Sequence, residues 1–198
     1  MLLSPALRHN ILMKTYNTKK LIAIVDLECT CDNSENPKIS RQEMEIIEIG
    51  CVIADYDGNV IAEFDRFIKP VINPILTDFC KELTTITQEQ VKSGVTLPQA
   101  INELLVFLKE YSVETWGSWG GFDKNQVIRE YALKNFPVPQ EFASLNHINL
   151  SYRYTQKNNL KKSGVRKSLN RHHIKFVGTP HRGIDDVKNI AKLLPFIF

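Results

Sequence analysis

Between Phe142 and Ile184 this 198-residue chain has no acidic residue. The same stretch holds Arg153, Lys157, Lys161, Lys162, Arg166, Lys167, Arg171, Lys175 and Arg182, so a formal net charge of only +3 conceals a basic segment joined to a net acidic remainder. Such a lopsided distribution suggests a phosphate-rich partner. The interleaved Tyr152, Tyr154, His172 and His173 turn that suggestion toward nucleic acid. The plainer alternative is a solvated helix face whose counter-charges come from distant parts of the chain.

Other absences narrow the class further. No apolar run approaches the ~18 residues that a membrane-spanning helix needs. The four cysteines, Cys29, Cys31, Cys51 and Cys80, form neither a CxxC pair nor the rhythm of a disulfide framework. Reduced thiols and a cytoplasmic location are therefore expected. No histidine or second cysteine pair completes a tetrahedral thiolate site around Cys29 and Cys31. Internal repeats and low-complexity linkers are absent, and 43% hydrophobic with 24% charged residues is ordinary globular composition. The first twenty residues lack acids and faintly resemble a targeting leader. We read residues 1–19 as a tail, with Met13 as an alternative start, and 20–198 as one domain.

What is present reads as alternating strands and helices. "LIAIV", Leu21 to Val25, is a short, continuous, β-branched run of the kind that forms a strand covered on both faces. "EMEIIEIGCVIADYDGNVIAEFDRFIKP" has two apolar arms around an Asp-Gly turn and predicts an antiparallel hairpin. Helical spacing follows, with Thr77 and Thr87 as N-caps. Next comes an amphipathic helix with Ile101, Leu104, Leu105 and Leu108 on one stripe. "ETWGSW" predicts a short strand before the helix "FDKNQVIREYALKNF", and "EFASLNHINL" a last, weaker strand. Basic helices and an amphipathic "GIDDVKNIAKLL" close the chain. The expected fold is α/β with a mixed sheet.

The first strand ends on Asp26 and Glu28, and alternate strand residues share a face. Two carboxylates held side by side repel unless a proton or a cation lies between them. A hard divalent ion would draw further oxygen ligands from elsewhere in the chain. Asp123 stands where a strand gives way to a helix, a favoured place for sites in open α/β sheets. Asp185 and Asp186 open the final helix, five residues or fewer beyond His181 in a loop bounded by Pro180 and Gly183. Helix capping accounts for such acids equally well, and we read Asp185 that way.

DxE on the first strand, an Asp after an aromatic and glycine-rich stretch, and HxxxxD before the last helix together resemble the DEDDh 3′–5′ exonucleases. "EIIEIG", "FCKELTTITQEQV" and "GTPHRGIDDVKNIA" are most similar to the branch of Eri-type exoribonucleases and KapD-like proteins. The resemblance covers roughly residues 20–195. It implies a ribonuclease H-like fold, with a five-stranded mixed sheet flanked by helices. It also implies two Mg²⁺ or Mn²⁺ ions held by Asp26, Glu28, Asp123 and Asp186, with His181 as general base. Asp26 would bridge the ions, and Asp123 would reach one of them through water. Two cations about 4 Å apart can stabilise both the attacking and the leaving oxygen of a displacement at phosphorus. The implied product is a nucleoside 5′-monophosphate released from the 3′ end of a single strand, RNA rather than DNA.

Recognition of that end is expected from backbone contacts of Leu27 and Cys29, beside Glu28, to the sugar, from Trp119 or Phe122 stacking on the last base, and from Leu83 and Thr84. Lys161, Lys162, Arg166 and Lys167 would hold upstream phosphates, with salt-weakened binding. "WGGFD" departs from many relatives just before the Asp, which bears on the stacking contact and not on the ligand. Three rival readings are a proofreading-type DNA exonuclease, a catalytically silent nucleic-acid-binding module, and a phosphodiesterase for short oligonucleotides. The silent module would lack a ligand or the His, and none is missing.

Overall fold

The computed structural model describes residues 20–33 and 37–198, and the expected tail over 1–19 lies outside them. β1 (Leu21–Cys29) runs past the apolar stretch, carrying Asp26 and Glu28 within the strand. β2 (Ile46–Asp55) and β3 (Val60–Phe67) are the arms of the expected hairpin. Its turn is set by Asp55 Oδ1, which accepts from the amides of Asp57 and Asn59, and by Gly58 at φ +87°. Few side chains tolerate that backbone, which is why Asp-Gly marks the turn. β4 (Thr115–Ser118) and β5 (Asn146–Asn149) complete the sheet.

The order across the sheet is β3-β2-β1-β4-β5. β1 pairs antiparallel with β2, and β2 with β3, while β1–β4 and β4–β5 are parallel. This is the mixed five-stranded sheet expected from the sequence, flanked by helices. Thr77 and Thr87 cap α1 (Asp78–Thr84) and α2 (Gln88–Lys92), the second through a reciprocal capping box with Gln90. α3 (Leu97–Glu110) buries the anticipated Ile101, Leu104, Leu105 and Leu108. The segment 141–150, read from sequence as one strand, is instead divided. A short α5 (Gln140–Ser144) starts after Pro139 and sends Phe142 onto Trp116, and only then does β5 begin.

Period-two alternation on the strands makes two cores. Ala23, Val25, Leu27 and Cys29 of β1, with Ile49, Cys51 and Ile53 of β2, pack against α3 and α4 (Phe122–Leu133). Ile22 and Ile24, with Val52 and Ala54, pack against α6 (Leu150–Lys157), α7 (Val165–Arg171) and α8 (Gly183–Ala191). Each such side chain contributes roughly 1.5–3 kcal/mol on full burial. Asp26 and Glu28 continue the even-numbered row and so face α8. Directly opposite them on β2 stand Gly50 and Glu48. Gly50 has a steric reason to lack a side chain, since a Cβ there would lie 2.1 Å from the Gly183 carbonyl carbon. The start of α8 thus presses directly on the sheet beside the two acids.

No helix among the described residues is long and apolar enough to cross a membrane. All four cysteines are free thiols, three of them buried.

Candidate active site

Asp186 enters from the first turn of α8 to meet Asp26 and Glu28. One carboxylate oxygen from each of the three lies within 4.8 Å of the other two. Asp123, in the first turn of α4, is not part of that tight trio. Its Oδ1 accepts the Leu27 amide at 3.2 Å, which seats it on β1 between Asp26 and Glu28, and Ser118 bonds the same carboxylate. All four acids and His181 line one cleft of about 460 Å³, together with Leu27, Trp119, Phe122 and Arg166.

The electrostatics of this cleft run against four free carboxylates. Burial, then the charges of Asp123, Glu28, Asp186 and Glu48, push the Asp26 carboxyl far above its ordinary range. Burial, followed by Asp186, Glu48 and Asp123, raises Glu28 to about 8. Burial also raises Asp123, against the pull of hydrogen bonds from its own amide, Ser118 and Leu27. In Asp186 burial is partly offset by the His181 amide, which donates to Oδ2 at 2.8 Å. An all-oxygen donor set whose members destabilise one another when ionised fits a hard divalent cation such as Mg²⁺ or Mn²⁺.

His181 sits exposed at the rim with φ +61°, a left-handed conformation rare for a residue with a Cβ. Such conformations persist where the surroundings over-determine them, as the Asp186 bond does here. Asp185 stands in the first turn of α8 and accepts from the Thr179 amide at 2.8 Å, tying the loop to the helix start.

The end-recognition residues divide. Leu27, Trp119, Phe122 and Arg166 line the cleft. Phe122 lies beneath the guanidinium groups of Arg41 and Arg129, and Trp119 donates through Nε1 to Ser163 O while packing on Tyr154. Cys29, Leu83 and Thr84 are not among the lining residues. The Cys29 side chain points to the opposite face of β1, into the core, as its odd position dictates. Thr84 is buried and bonds Cys80 O at the end of α1. Lys161, Lys162 and Lys167 are exposed outside the cleft, close in sequence to Arg166. Tyr154, one of the aromatics that suggested nucleic acid, is buried, with its hydroxyl on His172. Arg182 is also withdrawn from any phosphate track, because it pairs with the buried Glu48. Sequence reading gave Glu48 no role; the available signal was an acid at an even position of a wholly buried strand.

The raised carboxyls have a consequence for the metal-free protein. A Glu28 that ordinarily titrates near 4.5 and here holds its proton to about 8 contributes stability that is full below 4.5. That contribution is lost as pH rises toward 8, because the folded state must then ionise against its neighbours. The chain in EDTA is therefore expected to melt at lower temperature at pH 8 than at pH 5. Added Mg²⁺ or Mn²⁺ should raise the melting temperature more at pH 8 than at pH 5. Scanning fluorimetry at the two pH values, with and without metal, checks both signs; a metal increment independent of pH would contradict the shared-carboxylate account.

The chain as a whole is similar to known nucleases. The chain matches the exonuclease family of RNase T type over residues 23–194. It is 25% identical to the 3′–5′ exonuclease eri1 of Schizosaccharomyces pombe, covering 88% of this chain and 67% of that protein. With 3′–5′ exoribonuclease 1 of Homo sapiens the identity is 31%, over 87% of this chain and 50% of the relative. The chain thus spans half to two thirds of the length of these relatives. Its fold is similar to the crystal structure of the nuclease domain of 3′hExo, described as a DEDDh family member bound to rAMP. That match has a TM-score of 0.78 and 26% identity, covering 89% of this chain and 90% of that one. With an acid trio, a fourth acid on the helix after β4 and a histidine on one cleft, the chain belongs to the exonuclease family, in its DEDDh branch.

Proposed function

We propose that this chain is a divalent-metal-dependent 3′–5′ exoribonuclease that removes nucleoside 5′-monophosphates from single-stranded 3′ ends. The observation that carries the reading is the meeting of Asp26, Glu28 and Asp186 within 4.8 Å, with His181 lining the same cleft. Asp26, Glu28 and Asp186 would hold the metal, two ions in all, with Asp123 reaching in beside Leu27. When bound, Mg²⁺ or Mn²⁺ supplies positive charge that lets a phosphodiester approach this acidic pocket and offsets the charge developing on phosphorus.

The chain's own residues do the remainder. His181 sits at the rim, reachable from solvent, and its imidazole can take the proton of the attacking water. Phe122 and Trp119 offer aromatic faces for the terminal base, which every base can stack upon. Arg166 stands at the edge of the cleft, and Lys161, Lys162 and Lys167 extend positive charge away from it for upstream phosphates. RNA is favoured over DNA because the human relative is named an exoribonuclease and the similar nuclease domain was solved with rAMP.

A digestion panel tests this. Oligonucleotides labelled at the 5′ end, RNA and DNA, from two nucleotides to about twenty, are incubated with Mg²⁺, Mn²⁺ or EDTA. Expected are a ladder shortening from the 3′ end on RNA, loss of activity in EDTA, and longer strands gaining more than dinucleotides at low salt. Equal degradation of DNA would remove the RNA preference, a best substrate of two or three nucleotides would favour an oligonucleotide phosphodiesterase, and intact RNA in Mn²⁺ would sink the reading.

A further inference from the structure

We propose that Arg182 and Glu48 form a clamp that fixes the His181 loop over the acid trio, which makes both of them positioning residues. The inference rests on the exonuclease reading for its catalytic consequence, and on the geometry below for its structural one.

Glu48 is fully buried near the start of β2, on the face that carries Asp26 and Glu28. One of its oxygens, Oε2, accepts from Arg182 Nε at 3.2 Å and from the Gly183 amide at 3.1 Å. The other, Oε1, accepts from Arg182 Nη2 at 3.2 Å. This two-pronged match between guanidinium and carboxylate fixes orientation as well as distance. The guanidinium also lies 5.3 Å from the Phe67 ring, and Asp65 is 3.9 Å from Nη2. Phe67 pairs with Glu48, and Asp65 with Gly50, so all three partners of Arg182 come from one patch of the sheet.

The helix end explains why the clamp matters. Arg182 is the N-cap residue of α8 and has no side-chain cap of its own. The first amides of a helix lack intrahelical partners. Here a carboxylate from a strand 135 residues earlier supplies one for Gly183. Arg182 is bonded on one side to His181 and on the other to the helix that carries Asp186. His181 is held in its left-handed conformation with its amide on Asp186, and the clamp anchors the intervening residue to the sheet. Lysine could restore the charge at this position but not the two-pronged bond.

Two variants test the clamp. Arg182→Lys keeps the charge and loses the fork. Arg182→Met combined with Glu48→Leu removes the buried pair together, a replacement that often leaves folding intact because neither member is left buried without the other. Hydrogen exchange by NMR at the His181 and Gly183 amides reads the loop directly. At least about tenfold faster exchange is expected at both amides in each folded variant, with the β1 amides unchanged. On RNA in Mn²⁺, kcat should fall about ten- to a hundredfold while KM moves less than about threefold. It should stay low in the double variant even where its melting temperature matches the parent's. Wild-type exchange at both amides, or a recovered kcat in the double variant, overturns the clamp. If the double variant does not fold, Arg182→Lys alone decides through the same two readouts. A parent chain that leaves RNA intact sinks the exonuclease reading, while the exchange data still judge the clamp.

Discussion

Replacing Asp26 by Asn is expected to lower turnover on 3′-hydroxyl RNA by at least ~10³-fold, a barrier increase of about 4 kcal/mol. Asp26 is the acid on which most of the site's charge bears, with Asp123, Glu28, Asp186 and Glu48 all acting on it. An amide of the same shape keeps the packing and removes the charge that holds a cation, so loss of chemistry need not mean loss of fold. The opposite sign is expected for stability. In EDTA at pH 8 the variant should melt above the parent, because one carboxyl has gone from a buried cluster whose members destabilise one another when ionised. Activity and metal-free stability thus pull apart at a single position, as is common where a site is built at the expense of the fold. Steady-state kinetics in Mn²⁺ and melting curves in EDTA measure the two effects. Normal turnover would remove Asp26 from the metal, and a lowered metal-free melting temperature would remove the repulsion from the account.

How far the sequence discloses this site depends on whether each residue announces itself locally. Asp26 and Glu28 do, because an apolar strand has no packing reason to end on two acids facing one way. The hairpin does too, through an Asp-Gly turn whose glycine adopts φ +87°. Asp123 and Asp186 are ambiguous from spacing alone, since first-turn acids serve helices generally, and the family resemblance carried them. Glu48 was invisible by comparison. Its partner Arg182 is 134 residues away, and nothing in "EIIEIG" says that the acid faces a guanidinium and not water. Side-chain direction follows the same local rule: strand alternation sends the Cys29 thiol to the core opposite the acids, and Thr84 spends its hydroxyl on Cys80 O within its own helix. Arg182 and Tyr154 were counted toward a nucleic-acid surface by type, and the structure spends both on internal partners. Positions governed by local period are legible from sequence; those governed by pairing across the fold are not.

His181 gives the second large effect, and here the backbone must be separated from the ring. His181→Asn is the cleaner substitution, because Asn tolerates the left-handed φ that would strain most residues by about 1–2 kcal/mol. The amide bond to Asp186 survives the change, so Asp186 and the metal-holding acids should stay where they are. Turnover at pH 7 is expected to fall by about 10²–10⁴-fold, the usual contribution of a positioned general base. Mn²⁺ affinity, read by calorimetric titration, should move less than about threefold, and the melting temperature should hardly change. Raising the pH from 7 to 9 should narrow the gap between variant and parent, since a water already losing its proton to solvent base needs the imidazole less. That narrowing separates a proton acceptor from a residue that merely shapes the cleft, whose loss would cost the same at every pH. A variant within threefold of the parent at pH 7 would end the general-base assignment and leave the acids to activate water without it.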